Sequence, residues 1–310
     1  MPSPLRPFRP IPAPSIRPWA GTRLGDAGRH VGELWLAGPD LQVVADGTLR
    51  TLDALAGELG ERLVGRRGMA LLGARFPLIV KLIDAADWLS LQVHPDDALA
   101  RDLYGPGALG KAEAWLVLDA DAGAELVTGP ADGLAPDRLL AAIAAGDADQ
   151  RHCRRTPARA GDALVLRPGT LHAIGPGAFV YEIEQPSDIT FRISDWGRVG
   201  RDLHVTESLQ ALRPERHADP AGTGFRLTGG SLTLPEFRLE LPDIDAGAAE
   251  RAPSGESCEV VTAIRGTLRL EADGWSETVT PFGTVVVPAV VDHYAISGDV
   301  GSLACVGSVP

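Results

Sequence analysis

Apolar positions along this chain fall mostly into short runs interrupted by Gly and Pro. The run 76–93, FPLIVKLIDAADWLSLQV, holds two such segments and predicts two buried strands. From residue 159 onward the runs ALVLRPG, GAFVYEIEQ and DITFRIS are β-rich. After residue 224 come FRLTGGSLTLPEFRLEL, CEVVTAIRGTLRLEA, GTVVVPAVV and HYAISG, which predict an all-β segment of sandwich or barrel type. Helical spacing appears in few places. In 48–64, TLRTLDALAGELGERLV, Leu recurs at helical intervals and predicts an amphipathic helix. In 133–149, GLAPDRLLAAIAAGDAD, Pro136 stands early and Gly146 late, as at helix ends. Residues 201–212 predict a short helix or turn. The polar, turn-rich 213–224, RPERHADPAGTG, predicts a linker between an N-terminal domain, 1–212, and a C-terminal β domain, 225–310.

The first twenty residues form a proline-stiffened arm, with seven prolines before Gly21 and no apolar core of a signal peptide. It reads as a flexible tail or as a strap laid across the fold. An internal echo links the halves: GDALVLRPGTLHAIG (161–175) and GTVVVPAVVDHYAISG (283–298) both run Gly, apolar strand, Pro, turn, His, strand. This points to two related β-barrels. The 36 Gly and 25 Pro agree with many turns and short strands.

Charge narrows the function. The formal net charge is -12 and no run of Lys or Arg is present, so a nucleic-acid partner is not expected. An acidic protein binding an anionic small molecule must gather a few cations locally. No stretch approaches the roughly 18 apolar residues of a membrane span. Cys153, Cys258 and Cys305 are odd in number and lack CxxC spacing, so they read as small buried hydrophobes in a reducing compartment. A cytoplasmic location is expected.

Candidate chemistry lies in three segments. In LSLQVHPDD (89–97), Gln92 and His94 are two apart on a strand and share a face, with Leu91, Val93 and Pro95 on the other. In GKAEAWLVLDA (110–120), Lys111 and Glu113 share a face at the entry to a buried strand, where charges need partners. In RPGTLHAIG (167–175), His172 follows a Pro-Gly turn. Two imidazoles, one carboxylate and one amide oxygen suit zinc with an open position, and two His with one carboxylate also suit iron(II). Ligand chemistry alone does not choose the metal.

These segments, in order along two thirds of the chain, resemble type I mannose-6-phosphate isomerase in its short bacterial form, a member of the cupin superfamily. The resemblance also rests on RPWAGTRL (17–24), VGELWLAG (31–38), EIEQPSDITFRISDWGR (182–198) and RDLHVTESLQAL (201–212). It implies a mainly β fold of two cupin-like β-barrels, or jelly rolls, with a few short helices. It implies Zn2+ held by Gln92, His94, Glu113 and His172, with Lys111 and Arg192 in the active site and a small-molecule sugar phosphate as substrate. Arg198 would serve phosphate or structure. The family pattern has Gln where Glu184 stands, which puts an extra carboxylate in the site or on the outer face of its strand. His293 occupies the echo position in the second barrel without companion ligands, so that barrel is expected to be metal-free. An iron-dependent cupin oxygenase and a non-catalytic sugar-phosphate-binding cupin are the competing expectations.

Overall fold

The computed structural model describes residues 5–25, 28–220, 229–245 and 247–310. Strands make up 38% of the chain, so the expected mainly β class is what the molecule adopts. The chain gathers into two compact units, one of residues 14–34 and 82–223, the other of residues 1–13, 35–81 and 224–310. The start of the last β run, 225–228, and the end of the expected linker, 221–224, lie outside the described residues.

The unit holding 82–223 is built on neighbouring strands in the order Ala178–Glu184, Glu113–Ala120, Ala163–Leu166 and Asp219–Pro220. The central ladder pairs Glu113 with Glu184 and Trp115 with Glu182, so these four side chains share one face. That face is apolar farther along: Trp115, Val117, Val180 and Leu166 pack with Leu126 and Ile174 in one buried cluster. The glutamates therefore stand on the face of a sheet whose remaining positions form core.

A second layer supplies the histidines. The strand Leu91–Val93 pairs antiparallel with Phe191–Ser194, and Gln92 also bridges to His172. Leu91, Val93, Phe191 and Ile193 turn to the opposite face. There they are buried with Leu139 and Ile143 of the helix Pro136–Ala144 and Ala211 of the helix Val205–Ala211. The strict alternation that the sequence shows in LQVH and FRIS thus separates a helix-covered face from a polar one.

In the other unit the strands form a five-stranded and a four-stranded sheet, with Val261, Val285, Val287, Ile296 and Tyr294 in a common core. The expected helix over 48–64 differs in detail. Residues Thr48–Thr51 are a strand, and Thr51 then caps the helix Leu52–Leu59 by accepting from the Ala54 amide at 3.1 Å. Gly60, at φ 53°, breaks the helix, and the next one, Glu61–Leu72, is itself kinked at Gly65. Leu periodicity continues through Gly60, but only a backbone with positive φ makes that turn. Part of the proline-rich arm acts as a strap: Phe8 exchanges two hydrogen bonds with Val286, and the Ile11 amide donates to the Gln42 carbonyl.

Candidate metal centre and active site

His94, Glu113 and His172 come together from three separate segments. The two histidine Nε2 atoms are 3.1 Å apart, and each faces one Glu113 oxygen, at 3.3 Å for His94 and 3.4 Å for His172. All three side chains are at most 2% exposed. The Nδ1 of His94 lies 2.9 Å from the Ile189 carbonyl and that of His172 lies 2.8 Å from the Thr170 carbonyl. A carbonyl only accepts, so each Nδ1 carries the proton and each Nε2 presents a lone pair. Two lone pairs and a carboxylate then converge with no donor among them, an arrangement that a divalent cation relieves. Both Glu113 oxygens are buried, and neither accepts a well-aligned hydrogen bond, although the Lys111 ammonium lies 3.1 Å from Oε2. Burial, followed by the charge of Lys111, pushes His94 down to about 3, so its ring is neutral and ready to ligate at neutral pH.

Gln92 occupies the same face by register. It exchanges backbone hydrogen bonds with His172 at 3.0 Å on one side and is paired with Arg192 on the other. His172, Gln92 and Arg192 thus form a cross-strand row beside the metal ligands. Arg192 is half-buried. It donates to the Asp202 carbonyl at 2.7 Å, and its Nε has no partner. Arg192 forms no ion pair among the described residues, and its charge remains available to a ligand.

Lys111 lies at the metal end of the site. Its Nζ is 3.1 Å from Glu113 and 2.8 Å from Glu184, and it is 4% exposed. Burial disfavours its charge, yet Glu184 and Glu113 outweigh burial and hold the ammonium well above the usual lysine range. Glu184 points inward: it is fully buried against Lys111, not on the outer face of its strand. The sequence reading missed Glu182. It accepts the indole N–H of Trp115 at 2.8 Å and joins Glu113 and Glu184 in a second close group of carboxylates. Its signal was available, because Glu182 and Glu184 are two apart on one strand.

Arg198 is tied to Asp87 at 3.0 Å, Asp195 at 2.9 Å and the Trp88 carbonyl at 2.7 Å, a bracing role. His293 is exposed in the turn before the strand Tyr294–Gly298 of the other unit. Cys153, Cys258 and Cys305 are all free and buried. No helix among the described residues is long and apolar enough to cross a membrane.

The chain is similar to known proteins along most of its length. Residues 25–108 match the family described as phosphomannose isomerase type I, catalytic domain. Over 232 residues the chain is 37% identical to the mannose-6-phosphate isomerase of Streptococcus mutans, covering 70% of this chain and 71% of that one. The crystal structure of the mannose 6-phosphate isomerase from Bacillus subtilis superposes with a TM-score of 0.82 at 28% identity, over 98% of this chain and 99% of that chain. Its cupin fold is therefore also the fold here. A mannose 6-phosphate isomerase solved in a zinc-bound holo form shares the fold, with a TM-score of 0.74 at 16% identity over 97% and 99% of the two chains. The chain belongs to the type I phosphomannose isomerase family.

Proposed function

We propose that the protein is a zinc-dependent aldose–ketose isomerase that interconverts mannose 6-phosphate and fructose 6-phosphate. The observation that carries this reading is the meeting of two Nε2 lone pairs and the Glu113 carboxylate in a buried site. Family membership and the activity named for the Streptococcus mutans relative support the substrate. His94, Glu113 and His172 would hold the ion, with Gln92 as the fourth ligand on the same face. When bound, zinc supplies Lewis-acid polarisation of the substrate oxygens.

The protein's own groups supply the rest of the chemistry. Isomerisation moves a proton between C1 and C2 through an enediol, so negative charge develops on oxygen at that end of the sugar. Lys111, a fixed ammonium 3.1 Å from Glu113, stands beside that end and donates to substrate oxygen from Nζ. Arg192, two strands across from His172, offers its planar fork of donors to the enediolate or the adjacent hydroxyl. The buried Trp115 packs edge-on to His172, with ring centroids 5.5 Å apart, and closes off the apolar side against water.

The test is a coupled isomerase assay on purified protein with mannose 6-phosphate, before and after chelation, with metal content read on the same sample. Activity that chelation removes and zinc restores is the expected result. A full zinc site without turnover would sink the substrate assignment. Tightly bound iron with oxygen consumption would replace the isomerase reading by an oxygenase.

A further inference from the structure

The echo between residues 161–175 and 283–298 extends to the strands that pair with it. Glu113 opens the strand Glu113–Ala120 and is paired with Leu166 on one side and Glu184 on the other. Glu259 opens the strand Glu259–Arg265 and is paired with Val287 on one side and Ser308 on the other. Leu166 and Val287 each end the first strand of the echo. By register, Glu259 therefore occupies in the second barrel the place that Glu113 occupies in the first. His172 and His293 stand equally far beyond Leu166 and Val287. His293 faces solvent, however, and the next residue, Tyr294, is buried in its stead. A shift of one residue exchanges the two faces of a strand.

The two glutamates have opposite surroundings. Glu113 faces the Nε2 lone pairs of His94 and His172, which donate nothing to it. Glu259 faces donors. The Tyr294 hydroxyl donates to its Oε2 at 2.6 Å, and Arg251 grips it with a fork, Nη2 to Oε1 at 2.5 Å and Nε to Oε2 at 3.4 Å. Arg251 also donates from Nη1 to Glu240 at 2.7 Å. It ends the strand Ala249–Arg251, where it is paired with Tyr294. Glu259 and Tyr294 are buried, and the Arg251 side chain is only 12% exposed. Burial disfavours the Arg251 charge, but the hydrogen bond to Glu259 outweighs burial and holds the guanidinium above the usual arginine range. Burial, and then the charge of Glu259, pushes the Tyr294 phenol well above its ordinary range, so it keeps the proton that it donates.

We propose that the second barrel holds a counterpart of the metal centre in which the Arg251 guanidinium takes the place of the metal ion. It supplies the positive charge that a buried, strand-opening glutamate requires. The internal cation frees this site from any metal supply and at the same time blocks it. With the guanidinium removed, the carboxylates of Glu259 and Glu240 and the Tyr294 oxygen form an oxygen donor set that suits a hard divalent cation such as Mn2+. A cavity of about 330 Å3, lined by Arg238, Glu240, Arg251 and Glu259, gives an ion from solvent a path to them.

The experiment loads the protein with zinc and then counts bound Mn2+ per chain by electron paramagnetic resonance. Zinc holds an imidazole-containing site against Mn2+, so the count reports on the second barrel. The parent should bind no Mn2+ beyond the weak binding of exposed carboxylates. Arg251→Ala should bind one Mn2+ per chain, and adding Glu259→Gln should weaken that binding by about tenfold or more. Arg251→Lys, which keeps a charge in place, should bind none. Without Mn2+ the denaturation midpoint of Arg251→Ala should fall by about 10 °C, and Mn2+ should restore part of the fall. Should Arg251→Ala not fold, Arg251→His, whose imidazole still donates to a carboxylate, carries the same count.

A folded Arg251→Ala or Arg251→His variant that takes up no more Mn2+ than the parent overturns the proposal, as does uptake that Glu259→Gln leaves unchanged. A parent that itself binds a second ion would show that Arg251 does not fill the site. None of these readings uses a sugar phosphate, so failure of the isomerase reading leaves them as they stand.

Discussion

Lys111 is the residue on which the charge balance of the site turns. Its ammonium is buried between Glu113 and Glu184, and a buried ion pair that loses one member leaves the other as an uncompensated charge. Lys111→Ala is therefore expected to destabilise the metal-free protein by about 3–5 kcal/mol, read as a fall in denaturation midpoint. Adding Glu184→Gln removes one of the excess carboxylates and should return part of that loss. A double variant no more stable than the single one would show that Glu184 and Lys111 are not coupled. The sequence marks Glu184 as a departure from the family pattern, but its partner lies 73 positions away, across two paired strands. Lys111 and Glu113 were visible as neighbours on one face because period-two alternation is local. The hydrogen bond from Trp115 to Glu182 was not visible, because no local pattern records a contact between strands 67 positions apart.

Among the elements, strands were easier to read than helices. QVH and TFRIS alternate cleanly because one face is packed under helices and the other is polar, so the pattern fixed both the strand and its orientation. The helix over 133–149 was legible from Pro136, and the molecule forms it as Pro136–Ala144. The helix over 48–64 was not legible in full, since Leu spacing carries no information on where the backbone turns. Its second half shows why a glycine is needed. Gly65 sits at φ +81°, and a Cβ built there would lie 2.4 Å from the Glu256 carbonyl oxygen. Gly65→Ala should therefore cost about 2–5 kcal/mol, combining backbone strain with overpacking. Gly57, in the helix Leu52–Leu59, has open space around its Cβ position, and Gly57→Ala should instead stabilise by about 0.5–1 kcal/mol. Thermal melts of the two variants check both signs, and equal shifts would refute the packing account.

On the scale of the whole molecule, a chain of net charge -12 must bind a dianionic sugar against its own average field. Arg192, on the row that runs from His172 through Gln92, and Lys111, beside Glu113, are the cations that the fold sets against that field at the site. The strap has a consequence of a different kind. The strand Thr284–Val287 is the last of its five-stranded sheet, paired on one side with Glu259–Arg265. On its other side Phe8 exchanges hydrogen bonds with Val286 at 2.9 and 2.8 Å, while Arg9 grips Glu277 and the Thr278 carbonyl. Val285, Val286 and Val287 are β-branched, apolar and buried, the kind of edge that recruits a strand from a second copy when uncovered. The proline-rich arm thus guards against self-association. Deleting residues 1–9 should produce concentration-dependent oligomers in sedimentation while leaving turnover per subunit intact, and a variant that stays monodisperse would show that the edge needs no guard.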